Sequence, residues 1–492
     1  MTRRWHSRAA VLACGLILAA CGGGDDEPSQ PPSMVLAPIP MASGARIEPL
    51  DTRVVERAAS KRAPAAASRL PTGAPVVRVE LAPLVEAKAV PERAPGSPLR
   101  IGVGRAVPAT AQVQDLAALL DWHTLDDGAR VAAVAFDAAG AQGVRLGVLV
   151  RALPDGAVLR FYGRPGTPVV ALDSDALAAL HALNRRGGLA DDAARMVWGP
   201  DTDGAVSTLE VELPAGVAAD RLQLAVPELS HLMQTVAQAL AKDEADIGRA
   251  GSCNVDASCT TYEAESRSVA KMLFTRSGSS FLCTGTLLND AQGSGRPYFL
   301  TASHCIGDQA TASTLVTYWF FRAASCGAAR PDPANTRRAG GAVWRATDTA
   351  TDTSLLELNE PPPGGVLYAG SYFGPSPAIG ADVLGLHHAG GDLLKASLGR
   401  VLGYANCPTG DGNCTLTNDP ALGASLRLTW RRGTTEGGSS GSAIFAQSEG
   451  GTRYVVGVLH GGNASCDNPE GSDFYGRFER SFAAGLRDWL AP

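Results

Sequence analysis

The chain has 492 residues, too many for one ordinary domain, and points to two. Charged residues at 19% and hydrophobic residues at 45% are the proportions of a globular protein. A net charge of −6 excludes the basic surface of a nucleic-acid binder.

In chain order, "MTRRWHSR" is a basic start and "AAVLACGLILAA" an apolar run too short to span a bilayer comfortably. This reads as an export signal over residues 1–21. Its end, "LAAC" at Leu18–Cys21, resembles a bacterial lipobox. The resemblance implies that Cys21 carries a lipid anchor, and Gly22 is compatible with transport to an outer membrane or cell surface. The alternative is a plain signal peptide with Cys21 incidental. Residues 22–100 are rich in Pro and Ala and read as a disordered linker. Within it, apolar patches such as "VVRVELAPLV" are candidate strands docking on the next domain.

Residues 101–245 change pattern. "ARVAAVAFDA", "GVRLGVLVRAL", "GAVLRFYGR", "STLEVELP" and "RLQLAVPEL" alternate or run apolar between turn residues, as the strands of a β-sandwich do. "DSDALAALHALNRR" predicts a helix with an Asp/Ser start, and "PELSHLMQTVAQALAKDEAD" a second one. His123, His181 and His231 stand isolated, and no catalytic cluster surrounds them.

Residues 251–492 carry eight cysteines: Cys253, Cys259, Cys283, Cys305, Cys326, Cys407, Cys414 and Cys466. An even number confined to one exported region reads as disulfides, since no C-x-x-C pair suggests zinc. Short strands recur at "SVAKMLFTR", "TLVTYWFFR", "TSLLELN", "YVVGVLHG" and "DFYGRF", predicting an all-β domain of one or two barrels.

Three motifs in this region carry chemistry. In "YFLTASHCIG", His304 ends an apolar strand beside Cys305, with Cys283 a plausible disulfide partner; such rigid placement suits a general base. In "TDTSLLELN", Asp352 precedes a strand and can orient an imidazole, with Asp348 as competitor. In "TTEGGSSGSAIF", glycines flank Ser440 and allow the Gly438 and Ser440 amides to converge as an oxyanion hole. The order His, Asp, Ser is that of the chymotrypsin class.

"CNVDASC", "CTGTLLN", "YFLTASHC", "LLELN", "TEGGSSGSAIF", "LHGG" and "SDFYGRF" together resemble the bacterial lysyl endopeptidase family of chymotrypsin-like serine proteases, over most of 251–492. The resemblance implies an all-β, double β-barrel protease domain behind a β-sandwich pro-domain. It makes His304 the base, Asp352 the orienting acid and Ser440 the nucleophile. It implies the disulfides Cys253–Cys466, Cys259–Cys326 and Cys283–Cys305; Cys407 and Cys414, enclosing a turn, are then expected to pair. The position that is acidic in trypsin-type pockets is Thr434 here. The family instead uses an acid matching Asp473 to bind a substrate ammonium, helped by residues matching Thr435 and Glu436. A buried carboxylate prefers a paired cation, and a shortened pocket suits Lys over Arg. His460 is expected beside His304 at the substrate site. The Trp that the family places near the active-site His, His304 here, is missing from the rebuilt "GYANCPTGDGNCTL".

Ser439 stands where many such zymogens have the Asp that pairs with a new N-terminal amine, so that switch is unavailable. Residues 101–245 are therefore expected to be a pro-domain that assists folding or blocks the cleft, with Lys242 and Arg249 as processing sites whose cleavage frees a secreted protease. The expectation is a monomeric, exported enzyme acting on protein or peptide substrates, without metal or organic cofactor. The rival readings are an inactive, protease-like binding lipoprotein and a structural adhesin.

Overall fold

A computed structural model describes residues 35–55, 66–84, 97–164, 167–234, 250–407 and 414–492. The expectations for Cys21, Lys242 and Arg249 fall outside these residues. Among the described residues, no helix is long and apolar enough to cross a membrane.

The N-terminal domain is a sandwich of two sheets. One has six strands, ordered Val170–Asp173, Val158–Tyr162, Val206–Leu213, Arg130–Ala138 and Val77–Leu81, with His123–Thr124 on the Arg130–Ala138 strand. The other has five, ordered Met196–Trp198, Gly143–Ala152, Gln223–Leu232 and Gly102–Ala106, with Thr202–Asp203 on the Gly143–Ala152 strand. Their inner faces bury Phe136, Leu146, Leu159, Leu209, Val211, Leu224 and Leu229. The helix Ser174–Arg186 begins where the Asp173 carboxylate accepts the Ala176 amide at 2.8 Å.

The second helix expected in this region is corrected over its first residues. Residues 227–232 end the strand Gln223–Leu232, which pairs with Gly143–Ala152 on one side and Gly102–Ala106 on the other. Leu229, Leu232 and Met233 recur at spacings of three and four, a pattern that a helix shares. Pro227 is accommodated at an irregularity between Ala225 and Glu228, where its carbonyl accepts the Val107 amide. Residues 235–246 of that expected helix lie outside the described residues.

The stretch read as a linker contains docked pieces. Val77–Leu81 adds a parallel strand to Arg130–Ala138. Arg46–Ile47 pairs with Gly370–Tyr372 of the C-terminal domain, and Leu50–Asp51 with Leu367–Tyr368. The buried Arg267 guanidinium holds both Asp51 carboxylate oxygens, at 2.7 and 2.5 Å. The Pro/Ala composition hid these short strands because each is stabilised by a distant partner and not by its own pattern.

The C-terminal domain is built on two sheets. The first has eight strands, running Thr336–Arg338, Val316–Trp319, Val269–Arg276, Ser279–Leu288, Tyr298–Ala302, Thr353–Leu358 and Ala342–Asp348, with Leu99–Arg100 added on Ser279–Leu288. In the second, six strands close into a barrel: Arg453–Gly462, Ala443–Gln447, Asp382–His387, Lys395–Asn406, Ser425–Arg432 and Asp473–Arg477, the last pairing again with the first. The four disulfides are Cys253–Cys466, Cys259–Cys326, Cys283–Cys305 and Cys407–Cys414.

The two domains share a core. Ile101 and Leu232 pack with Leu273, Leu282, Val316, Tyr318 and Phe321. Fully buried Arg145 donates to the Gly199 carbonyl at 2.9 Å and, across the interface, to Thr275 Oγ1 at 2.9 Å and the Thr314 carbonyl at 2.7 Å. Such a contact satisfies a buried cation with fixed acceptors and does not slide.

Arg267→Met leaves the Asp51 carboxylate without its partner. We expect a loss of about 3 kcal/mol in unfolding free energy. Amide exchange should accelerate over Arg46–Asp51 and stay slow over Arg130–Ala138. Unchanged exchange at Arg46–Asp51 would show that the ion pair does not hold the segment.

Candidate active site

The register of two strands assembles the first part of the site. Tyr298–Ala302 pairs antiparallel with Thr353–Leu358, Ala302 opposite Thr353, so the residues just beyond each strand meet. The Ser303 amide donates to the Asp352 carbonyl at 3.0 Å. Asp352 sits at φ +51°, a left-handed conformation that a non-glycine residue adopts only when its surroundings impose it. Its Oδ1 accepts Ser303 Oγ at 2.6 Å and the His304 amide at 2.9 Å. Its Oδ2 faces His304 Nδ1 at 2.5 Å and His460 Nδ1 at 2.8 Å. Burial by itself would raise this carboxyl's pKa, but the two imidazoles outweigh it and hold Asp352 well below the usual carboxylate range.

An ionised Asp352 requires a proton on each facing Nδ1, which leaves each Nε2 as the basic atom. Both Nε2 atoms are buried and have no hydrogen-bond partner among the described residues. The backbone carrying His304 is held by the Cys283–Cys305 disulfide and by Arg276, which donates to the His304 carbonyl at 3.0 Å. Asp348 is spent on its own turn, accepting the Ala350 amide and the Thr351 hydroxyl.

The Ser440 loop is seated against both sheets of the C-terminal domain. Thr284 donates its amide to the Ser440 carbonyl and its hydroxyl to the Gly438 carbonyl, each at 2.8 Å. The Gly441 amide donates to the Leu459 carbonyl at 2.9 Å, which places the loop beside His460. Gly438 has φ +94°, and a Cβ there would lie 2.8 Å from the His388 carbonyl oxygen. At Gly441, φ +81°, a Cβ would lie 2.2 Å from Thr301 Oγ1. Neither position admits a side chain. Among the described residues, the Gly438 and Ser440 amides donate to no protein acceptor, so both remain available to a ligand oxygen.

Ser439 belongs to a neutral relay. Its hydroxyl meets His387 Nδ1 at 2.9 Å and accepts the Glu436 amide at 3.1 Å. His387 Nε2 meets Ser397 Oγ at 2.9 Å, and that hydroxyl donates to the Thr434 carbonyl at 2.9 Å. Burial, with Lys395 nearby, drives His387 down to about 3, so it stays uncharged. The loop before Ser440 is thus fixed without an acid–amine pair.

Asp473 lies on the barrel strand Asp473–Arg477 and is 1% exposed. Its Oδ2 accepts Trp430 Nε1 and Thr435 Oγ1, each at 2.6 Å, and its Oδ1 accepts the Ala464 amide at 3.4 Å. All three donors are neutral. Burial therefore dominates and raises its pKa to about 6.

Of the residues that the sequence singled out, the structure brings His304, Asp352 and His460 together, and Thr435 to Asp473. Two roles change. Glu436, expected in the pocket, accepts the Gly251 amide at 2.9 Å and Asn254 Nδ2 at 3.1 Å, because the Cys253–Cys466 disulfide brings the start of the domain to it. His460, expected to bind substrate, is 2% exposed and turned onto Asp352. The sequence reading missed Ser303, Trp430, Thr284 and His387. Only Ser303 carries a local signal, its position directly before His304.

The family model of the lysyl endopeptidase C-terminal domain matches residues 247–476, and that of the lysyl endopeptidase N-terminal domain matches 74–233. A lysyl endopeptidase of Pseudomonas aeruginosa is 35% identical over 416 residues, covering 81% of this chain and 82% of that protein. Among solved structures, the protease Anisep of Arthrobacter nicotinovorans overlaps 49% of this chain and 100% of its own at 18% identity and a TM-score of 0.33. The active form of the Rv3671c protease of M. tuberculosis overlaps 46% of this chain and 82% of its own at 19% identity and a TM-score of 0.30.

Asp473→Asn keeps an acceptor for Trp430 and Thr435 and removes a charge that no cation among the described residues offsets. The folded pKa near 6 lies above the ordinary 3.8, so ionised Asp473 destabilises the fold as pH rises through that window. At roughly 1.4 kcal/mol per pH unit the cost reaches about 3 kcal/mol above pH 6. The variant should melt higher than the parent at pH 8 and equal it at pH 4. A parent that melts higher at pH 8 would contradict an unpaired charge.

Proposed function

The chain belongs to the lysyl endopeptidase family of serine endopeptidases, and from that premise we propose that it cleaves peptide bonds after lysine through Ser440, His304 and Asp352. His304 Nε2 takes the Ser440 hydroxyl proton as Oγ attacks the carbonyl carbon. The resulting oxyanion accepts hydrogen bonds from the Gly438 and Ser440 amides. Collapse breaks the C–N bond, and the imidazolium returns its proton to the leaving amine. Water, deprotonated by the same nitrogen, then hydrolyses the acyl-enzyme and restores Ser440. Asp352 stays ionised throughout, and its bonds from Ser303 and the His304 amide fix the imidazole's orientation. His460 is a second imidazole partner on the same carboxylate.

Lysine selectivity rests on Asp473. A fully buried carboxylate with three neutral donors and no cation among the described residues is an incomplete ion pair, and a substrate ammonium completes it. A neutral side chain leaves the charge unpaired, and this difference supplies the discrimination. Exported placement, with a lipid on Cys21 before processing, is supported by the "LAAC" motif and by four disulfides, which persist in oxidising compartments. Residues 101–245 are the pro-domain in this reading, and the chain acts as a monomer.

A fluorophosphonate probe should label the protein and not Ser440→Ala. Asp473→Asn should lose on the order of 100-fold or more in kcat/KM on Lys substrates and little on neutral ones. In the parent, the ratio of kcat/KM for Lys to that for a neutral residue should fall as pH drops through about 6, because Asp473 is protonated there. A ratio independent of pH and of the substitution would remove Asp473 from the pocket.

A further inference from the structure

The outward edge of the strand Ser279–Leu288 carries three occupants side by side. At residues 286–288 it pairs with Tyr298–Leu300, and at Thr284 its amide holds the Ser440 carbonyl. Directly beyond, Leu282 pairs with Leu99 and Phe281 with Arg100, and the Ile101 amide donates to the Ser280 carbonyl at 2.9 Å. The segment 99–101 precedes the strand Gly102–Ala106 of the N-terminal sandwich. The Ile101 carbonyl accepts the Met233 amide at 2.8 Å, and Ile101 is 1% exposed in the core shared by both domains.

We propose that Leu99–Ile101 is a built-in competitor for the leaving-group side of the substrate, filling the strand edge beside Ser440. The inference rests on the assignment of Ser440 and Asp473 made above. The chain polarity supports it. Pairing is antiparallel, so Leu99 lies about 7 Å and Ile101 about 13 Å along the strand from the level of Thr284. The segment therefore runs N-to-C away from the nucleophile. The part of a substrate that follows the scissile bond has this polarity, since its nitrogen leaves from beside Ser440. The side is right too. The Asp473 pocket belongs to the closed barrel, whereas Ser280–Leu282 belongs to the other sheet, so a peptide with its side chain at Asp473 continues past Ser440 toward this edge. Extended back by two residues, the register brings Ser97 level with Thr284, followed by Pro98. Neither residue offers a basic side chain to Asp473. A tethered strand presents itself at an effective concentration on the order of millimolar, so a free peptide displaces it only at saturating concentration.

The test uses the full chain carrying Ser440→Ala and two fluorescent peptides, one ending at Lys as its amide and one continuing with three alanines. The longer peptide should bind no more tightly than the shorter. Leu99→Pro removes the amide facing Leu282, and should strengthen binding of the longer peptide by about 10-fold or more while leaving the shorter one unchanged. A longer peptide that already binds tighter in the parent, or a Leu99→Pro variant that shifts neither peptide or both equally, would overturn the proposal. If Leu99→Pro does not fold, hydrogen exchange on the Ser440→Ala chain decides. Saturating longer peptide, and not the shorter, should speed exchange at the Leu99–Ile101 amides; no change there counts against displacement. Failure of the shorter peptide to bind at all would refute the lysine pocket, and this inference with it.

Discussion

One backbone edge organises the molecule. Along Ser279–Leu288, alternate residues direct their amide and carbonyl groups outward, and every such group must find a partner if it is buried. Thr286 spends them on the neighbouring strand, Thr284 on the carbonyl of Ser440, and Leu282 and Ser280 on the segment leading into the N-terminal domain. Thr284 adds its side chain, donating to the Gly438 carbonyl and accepting the His388 amide at 3.1 Å. A single strand thus positions the Ser440 loop, both candidate oxyanion donors and the upstream domain. Cys283, between two of these outward-facing residues, ties the same strand to the turn that carries His304.

Two buried carboxylates show how environment divides roles between identical groups. Asp352 receives four short hydrogen bonds, two of them from imidazoles, and remains ionised despite its burial. Asp473 receives only neutral donors and is raised toward protonation. The first is a satisfied charge, suited to orienting a ring through a catalytic cycle. The second is unsatisfied, and its cost falls when a cation arrives. The neutral His387–Ser439–Ser397 relay fits this division, because it stiffens the loop between them without adding charge.

The strands, and the helix with its Asp173 cap, were legible because period and capping are local properties. The reading failed where partners were remote. Residues 227–232 look helical until strands on both sides are known, and Arg46–Asp51 looks like linker until Arg267 and the Gly370–Tyr372 edge are in place. In both cases long-range pairing overrides composition.

At the site, the sequence alone determined which residues have the right chemistry. His304, Asp352, Ser440 and Asp473 stand out by type, order and glycine context, and all eight cysteines of the C-terminal domain pair as expected. Only the tertiary structure decided what each side chain faces. It turned Glu436 toward Gly251 and Asn254, placed His460 on Asp352, and brought Trp430 to Asp473 from a strand that shows no motif. It also set Leu99–Ile101 against the edge that bears Ser440. The reason is physical. Reactivity is a property of a residue, whereas hydrogen-bond partners and burial belong to the neighbours that strand register supplies, and register is chosen by the whole sheet.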